Sequence, residues 1–250
     1  MINKVLCFCI LIFSLLFSYG CSSSKETETN EILTEGLIAY YSFTGNANDE
    51  SGHFFNGTVY GASLVEDRKG NDGSAYFFDG NYNFINIGNV DTLKITGDLS
   101  ISVWLRALTF QGSGLGIITC QANNSEDTGT NALYKINFVN KNYLNYNHES
   151  GQGDNNRHEF NNFYFDSSAW YHLVLVREKS AKALRLYIDG QLVETSYFDN
   201  DPSNGEYSTV KIGENHGTSN PDRFFHGALD DIRIYNRVLK PYEIAQLFKE

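Results

Sequence analysis

Between Trp170 and Arg177 nearly every position is apolar or aromatic, so both faces of this segment must be covered by other structure, as in a strand at the middle of a sandwich. Lys179 to Lys182 is polar and turn-like. Beyond it, Leu184, Leu186 and Ile188 share one parity while Arg185 and Tyr187 take the other, which predicts a partner strand. Asp189-Gly190 then suits a two-residue type I′ turn, and Leu192 to Thr195 returns as a third strand. Leu99, Ile101, Val103 and Leu105 alternate with Ser100, Ser102, Trp104 and Arg106 in the same way. Further strands are predicted at Leu37 to Phe43, Thr58 to Val65, Ala75 to Phe78, Phe84 to Ile87, Leu115 to Gln121, Leu133 to Val139, Tyr143 to Asn147, Glu159 to Phe165, Thr209 to Gly213 and Phe225 to Tyr235. The segment KPYEIAQLFKE closes the sequence as a short helix with Pro241 in its first turn and Tyr242, Ala245, Leu247 and Phe248 toward the sandwich.

The first residues follow another pattern. Lys4 precedes an apolar run from Val5 to Phe17, too short to span a bilayer comfortably, which reads as an export signal over residues 1–20. Residues 21–35 are polar and aperiodic and read as a flexible tether. An apolar run, small residues, Cys21 and a hydrophilic stretch together resemble a bacterial lipoprotein signal, although Ser18 and Tyr19 stand where that pattern has Leu and a small residue. The resemblance implies lipidation at Cys21; the alternative is a nearby cleavage that leaves Cys21 a spare thiol. SSSKETE after the cysteine also resembles an export tag for lipoproteins at the outer face of the outer membrane, which implies an exterior-facing location. Cys120 is then the single cysteine of the folded part and has no partner there for a disulfide.

Residues 36–250 are long enough for one all-β domain, and the chain's 22 Gly against 3 Pro suits many short strands joined by Gly, Asn and Asp turns. A formal charge of −11 argues against nucleic acid and against anionic headgroups. A neutral ligand, or one reached through a metal, fits better.

The segments GLIAYYSFTGNANDESGHFFNGTV, AYFFDG, LSISVWLRA, WYHLVLVR with LYIDGQLV, and GALDDIRIYNRVLKPYEIAQL occur in this order. Together they resemble the laminin G-like, concanavalin A-like lectin/glucanase superfamily. The resemblance implies an all-β jelly roll of two antiparallel sheets, one concave, with the first and last strands side by side. It leaves function open, since this scaffold hosts lectins, hydrolases, lyases and adhesion domains.

Catalytic patterns are lacking. Glycoside hydrolysis uses two carboxylates about 5 to 10 Å apart, and the superfamily's glucanases carry them as E-x-D-x-E on one strand, a pattern this sequence does not contain. Asp230 and Asp231 are neighbours and are expected on opposite faces of a strand. Tyr143, Tyr146, His148, Arg157 and His158 supply the residue types of a lyase without its motifs, and neither G-x-S-x-G nor H-x-x-x-H occurs. Binding without turnover is therefore the leading expectation.

Asn46, Asn48, Asp49, Glu50 and Asn56 crowd a Gly-containing loop with oxygen donors of the kind Ca²⁺ prefers. The family resemblance implies a structural Ca²⁺ held by Asp49 and Asp230, with Asn56 as a further ligand. The alternative is an Asx-turn at Asp49 and a salt bridge from Asp230 to Arg233 or Arg237. For a ligand, the stretch from Tyr134 to Tyr164 is dense in the planar polar and aromatic side chains that hold sugars. Candidates are Tyr143, Tyr146, His148, Arg157 and His158. Alternation separates Tyr143, Asn145 and Asn147 from Leu144, Tyr146 and His148, so only one set can face a groove. Loops 123–131, 200–206 and 216–223 are candidate rims. An oligo- or polysaccharide is the expected partner, with a protein partner bound through the loops as the alternative and an enzyme with an unfamiliar site as a third reading.

Overall fold

Fifteen strands, β1 to β15, a C-terminal α-helix, α1, and two single-turn 3-10 helices appear among the residues that the computed structural model describes, 33–112, 114–122, 132–150, 155–203, 208–215 and 221–250. Residues 1–20, Cys21 and most of the tether lie outside them, as do loop 123–131 and parts of the other candidate rims. No helix among the described residues is long and apolar enough to cross a membrane.

One sheet has eight strands, in the order β13 (Gln191–Tyr197), β12 (Ala183–Ile188), β11 (Tyr171–Glu178), β6 (Leu99–Ala107), β15 (His226–Tyr235), β4 (Ala75–Asp79) and β3 (Ser63–Val65), with β1 (Leu37–Tyr41) also on β15. The other has seven, β10 (Asn155–Phe160), β9 (Leu144–Glu149), β8 (Ala132–Phe138), β7 (Leu115–Ala122), β14 (Ser208–Ile212), β5 (Phe84–Gly88) and β2 (Thr58–Tyr60). Both are antiparallel, and the first and last strands pair through Leu37↔Tyr235 and Tyr41↔Ile232. The fold is the all-β jelly-roll sandwich.

Parity explains the core. Leu99, Ile101, Val103 and Leu105 point inward with Leu173 and Leu175, and meet Ile118, Cys120, Ile136, Leu144, Ile212 and Ile85 of the opposite sheet. Burial pushes the Cys120 thiol up to about 12, which leaves it inert. The β12–β13 turn holds Asp189 and Gly190 at φ 49° and 77°, as the type I′ reading requires.

Other expectations change. Thr58 to Val65 forms two strands in different sheets, β2 and β3, because the chain crosses between layers at Gly61-Ala62. α1 (Pro241–Leu247) lies over the outer face of the eight-stranded sheet, where Phe248 stacks on Trp104 at 5.7 Å and on His172 at 6.1 Å. Its buried residues are Glu243, Ile244 and Leu247, whereas Tyr242 is exposed. Glu243 caps the helix, accepting from the Lys240 backbone N–H at 2.6 Å and from both Arg237 guanidinium nitrogens at 3.0 and 2.7 Å.

Candidate functional site

A row of polar side chains crosses the outer face of the seven-stranded sheet from edge to edge. Cross-strand partners share a face, and one row runs Arg157, Asn147, Lys135, Thr119, Lys211, Asn86 and Thr58 from β10 to β2. A second row places Glu159, Asn145 and Asn137 side by side. Arg157 donates from Nε to Asn145 Oδ1 at 3.2 Å and from Nη2 to Glu159 Oε1 at 3.0 Å, while the Tyr143 hydroxyl donates to Glu159 Oε2 at 2.7 Å. Lys211 Nζ meets Glu214 Oε2 at 2.7 Å, and Thr119 Oγ1 donates to the Glu214 carbonyl at 3.1 Å.

Several groups on this face have no partner among the described residues although they are buried: Asn145 Nδ2, Gln121 Oε1 and Asn215 Oδ1. Asn215 sits beside Asn137, both amides lying close to where a side chain on Gly114 would begin. An unsatisfied buried amide costs about 1–3 kcal/mol unless something else supplies the bond. Hydroxyl-rich ligands supply such bonds.

Of the five ligand candidates, Tyr143 and Arg157 stand on this face. Tyr146, His148 and His158 lie on the other face, because β9 and β10 pair with His158 opposite Tyr146 and that parity turns inward. The Tyr146 hydroxyl accepts from Arg177 at 2.9 Å in the core. His148 meets the Asn200 carbonyl at 2.7 Å, and burial pulls it down to about 4, so it is neutral in ordinary buffers. His158 meets Ser196 Oγ at 2.9 Å. Sequence reasoning missed Lys135, Thr119, Lys211 and Asn86, although Thr209/Lys211 and Phe84/Asn86 alternate against apolar neighbours and carried the signal.

The proposed metal ligands also have other occupations. Asp49 Oδ1 accepts from the backbone N–H groups of Tyr40 and Ser51, each at 2.9 Å, and Oδ2 from Phe55 at 3.0 Å. Burial opposes its ionisation, but these bonds outweigh burial and hold the carboxyl below its usual range. Asn56 Oδ1 accepts the Asp49 N–H at 3.0 Å. Asp230 pairs with Arg68, Oδ2 to Nη1 at 2.6 Å, and Asp231 reaches the same nitrogen at 2.7 Å. In this structure these side chains meet backbone amides and a guanidinium, and Arg68 takes the place of both partners suggested for Asp230. The two neighbours share a face because β15 changes partner from β4 to β1 at this point through a bulge with Asp231 at φ 45°. The Arg68 guanidinium lies 4.4 Å from the centre of the Trp104 ring, beside a cleft of 420 Å³ that Tyr40 and Arg233 also line.

One guanidinium cannot neutralise two carboxylates. Burial, then the charge of Asp231, pushes Asp230 up to about 7 against the pull of Arg68. Its folded value thus exceeds the ordinary carboxyl value, so its stabilising protonation is complete below about pH 4 and is lost as pH rises through 7. Asp230 should contribute a loss of about 1–2 kcal/mol between pH 5 and pH 8 to urea unfolding at constant ionic strength, set against the gain from the buried His148 and His172, which bind a proton more readily when unfolded. Asp230→Asn should remove most of that loss; an unchanged slope would assign the proton elsewhere.

Residues 79–245 match the family described as the Concanavalin A-like lectin/glucanases superfamily. The chain belongs to this superfamily. Among solved structures, this member of the superfamily is similar to the binding domain of Paraclostridial Mosquitocidal Protein 1, with TM-score 0.66 and 21% identity over 86% of this chain and 52% of that one. It is also similar to domain 4 of AbnA, a GH43 extracellular arabinanase from Geobacillus stearothermophilus in complex with arabinotriose, with TM-score 0.61 and 20% identity over 84% of this chain and 97% of that one. A third structure concerns botulinum neurotoxin type C, whose cell entry depends on interaction with two ganglioside molecules; TM-score is 0.65 and identity 16%, over 88% and 52%. These likenesses carry the fold, and the chain spans 52% of the length of both toxin structures. No curated protein matches the sequence.

Proposed function

We propose that this protein binds glycan chains without turning them over, at the outer face of the seven-stranded sheet, as a lipoprotein anchored through Cys21 at the exterior of the outer membrane. The observation that carries the reading is the polar row spanning all seven strands, together with the buried amide groups of Asn145, Gln121 and Asn215 that lack partners among the described residues. Such amides, fixed by the sheet and flanked by Arg157 and Glu159, match the paired hydroxyls of a sugar. The arabinanase domain solved with arabinotriose, nearly all of whose length this chain matches, supports the same ligand class.

The test is a polysaccharide and glycan-array screen of the full-length protein, with released sugar assayed in the same mixtures. Wild type should bind without releasing sugar. Asn145→Ala and Arg157→Ala should each weaken binding about tenfold, the loss of one or two hydrogen bonds, one of them to a charged group. Release of reducing ends or unsaturated uronates would replace this reading with an enzyme. Silence across the panel would favour a protein partner, as for the botulinum neurotoxin DC binding domain in complex with rat synaptotagmin II.

A further inference from the structure

The outer face of the seven-stranded sheet changes character at its β2 edge. Tyr60 and Phe84 lie opposite each other in register, and their rings stack with centroids 4.6 Å apart and planes 11° from parallel. Phe224 extends the cluster, with its ring 5.0 Å from Tyr82 and 6.4 Å from Phe84. Phe224 is buried, but Tyr60 and Tyr82 are each 47% exposed. Tyr82 also holds a left-handed backbone at φ 61°, a conformation that a bulky side chain rarely adopts. A residue both exposed and strained adds little to folding, and such residues gather where a surface serves binding.

The groups beside these rings are polar. Lys211 Nζ lies 4.8 Å from the centre of the Phe84 ring while it meets Glu214. Asn86, two residues beyond Phe84 on the same face, stands between Lys211 and Thr58 in the polar row. A sugar ring has an apolar C–H face and a rim of hydroxyls, and flat aromatic rings next to amide and ammonium groups complement both. A protein partner calls for a broader apolar core than two tyrosines bordered by charge.

We infer that Tyr60 and Tyr82 form a second carbohydrate subsite, an aromatic platform that stacks one ring of a glycan chain running across the strands toward Asn145 and Arg157. This rests on the glycan-binding reading above and adds to it a direction and a length requirement. From β2 to β10 the sheet has six interstrand gaps, about 29 Å in all. A single sugar reaches one subsite only. A chain of several units reaches both, so affinity must rise with chain length.

The experiment is a calorimetric titration of the full-length protein with ladders of arabino-, xylo- and cello-oligosaccharides and of alginate fragments. The variants are Tyr60→Ala, Tyr82→Gly and Arg157→Ala. Tyr82→Gly relieves the left-handed backbone, so its melting temperature should be unchanged or higher, which separates binding from folding. Wild type should bind longer oligomers more tightly. Tyr82→Gly and Tyr60→Ala should each lose about five- to tenfold on the longest oligomer and nothing on the shortest one bound. If both tyrosine variants match wild type at every length while Arg157→Ala is weakened, the platform is refuted and the glycan reading stands. If wild type binds none of the ladders and no glycan in the wider screen, both fall together.

Discussion

Arg177→Met is expected to lower stability by about 3–5 kcal/mol in urea unfolding. Arg177 shares the inward parity of Leu173 and Leu175 and is fully buried between the sheets. Its guanidinium donates to the carbonyls of Gly97 at 3.0 Å, Leu133 at 2.8 Å and Ile95 at 2.7 Å, and to the Tyr146 hydroxyl at 2.9 Å. Methionine fills similar volume and removes a buried charge, which by itself is favourable. It also leaves three buried acceptors and the half-buried Gly97 carbonyl without this donor, each worth about 1 kcal/mol or more. Three of them lie on backbone that has no other way to turn. A loss below about 1 kcal/mol would show that water reaches these carbonyls. Because Tyr146 stands on β9 between Asn145 and Asn147, the same substitution should loosen the polar face and weaken glycan binding.

Gly213→Ala is expected to cost about 3 kcal/mol. Gly213 has φ +83°, and a methyl group there would stand 2.4 Å from the Phe78 ring. Phe78 is fully buried and belongs to the opposite sheet, so the ring has no free direction in which to retreat. The left-handed backbone accounts for about 1 kcal/mol and overpacking for about 2. Thermal unfolding of the variant checks this, and Gly213→Val should be worse. A change within about 0.5 kcal/mol would show that the two sheets slide apart more readily than a close-packed core allows. Glu214 and Asn215 follow directly in the chain, so a shift here reaches the polar face as well.

How much of this was legible in the sequence depends on whether a strand's two faces differ. In β6 one parity is purely aliphatic, so its orientation, pairing and burial could be read at once. From Tyr143 to His148 one parity holds Leu144, Tyr146 and His148 and the other Tyr143, Asn145 and Asn147; both are amphipathic, and only the sheet opposite shows that Tyr146 turns inward to Arg177. The ligand candidates therefore divided between two faces. Asp230 and Asp231 follow simple alternation by their spacing, but the strand changes partner between them, and a bulge is set by tertiary pairing. Arg68 carries no local signal either, since it meets Asp230 across 162 residues of chain. The tyrosine platform was hidden for a similar reason. Tyr60 and Tyr82 come from separate segments and become neighbours of one cluster only through Phe84 and Phe224.

The pairing of β1 with β15 also constrains how this fold is reached. β11, β12 and β13 are successive hairpin-linked strands whose contacts are local, and such contacts form quickly because little chain must be closed to make them. β1 is made early and has its strand partner at the far end of the domain, so it waits for almost the whole sequence before it can be placed. Until then its apolar residues stay open to wrong partners. The contact order of this one pair thus sets when the domain can close: after the last strand has been released, and not before.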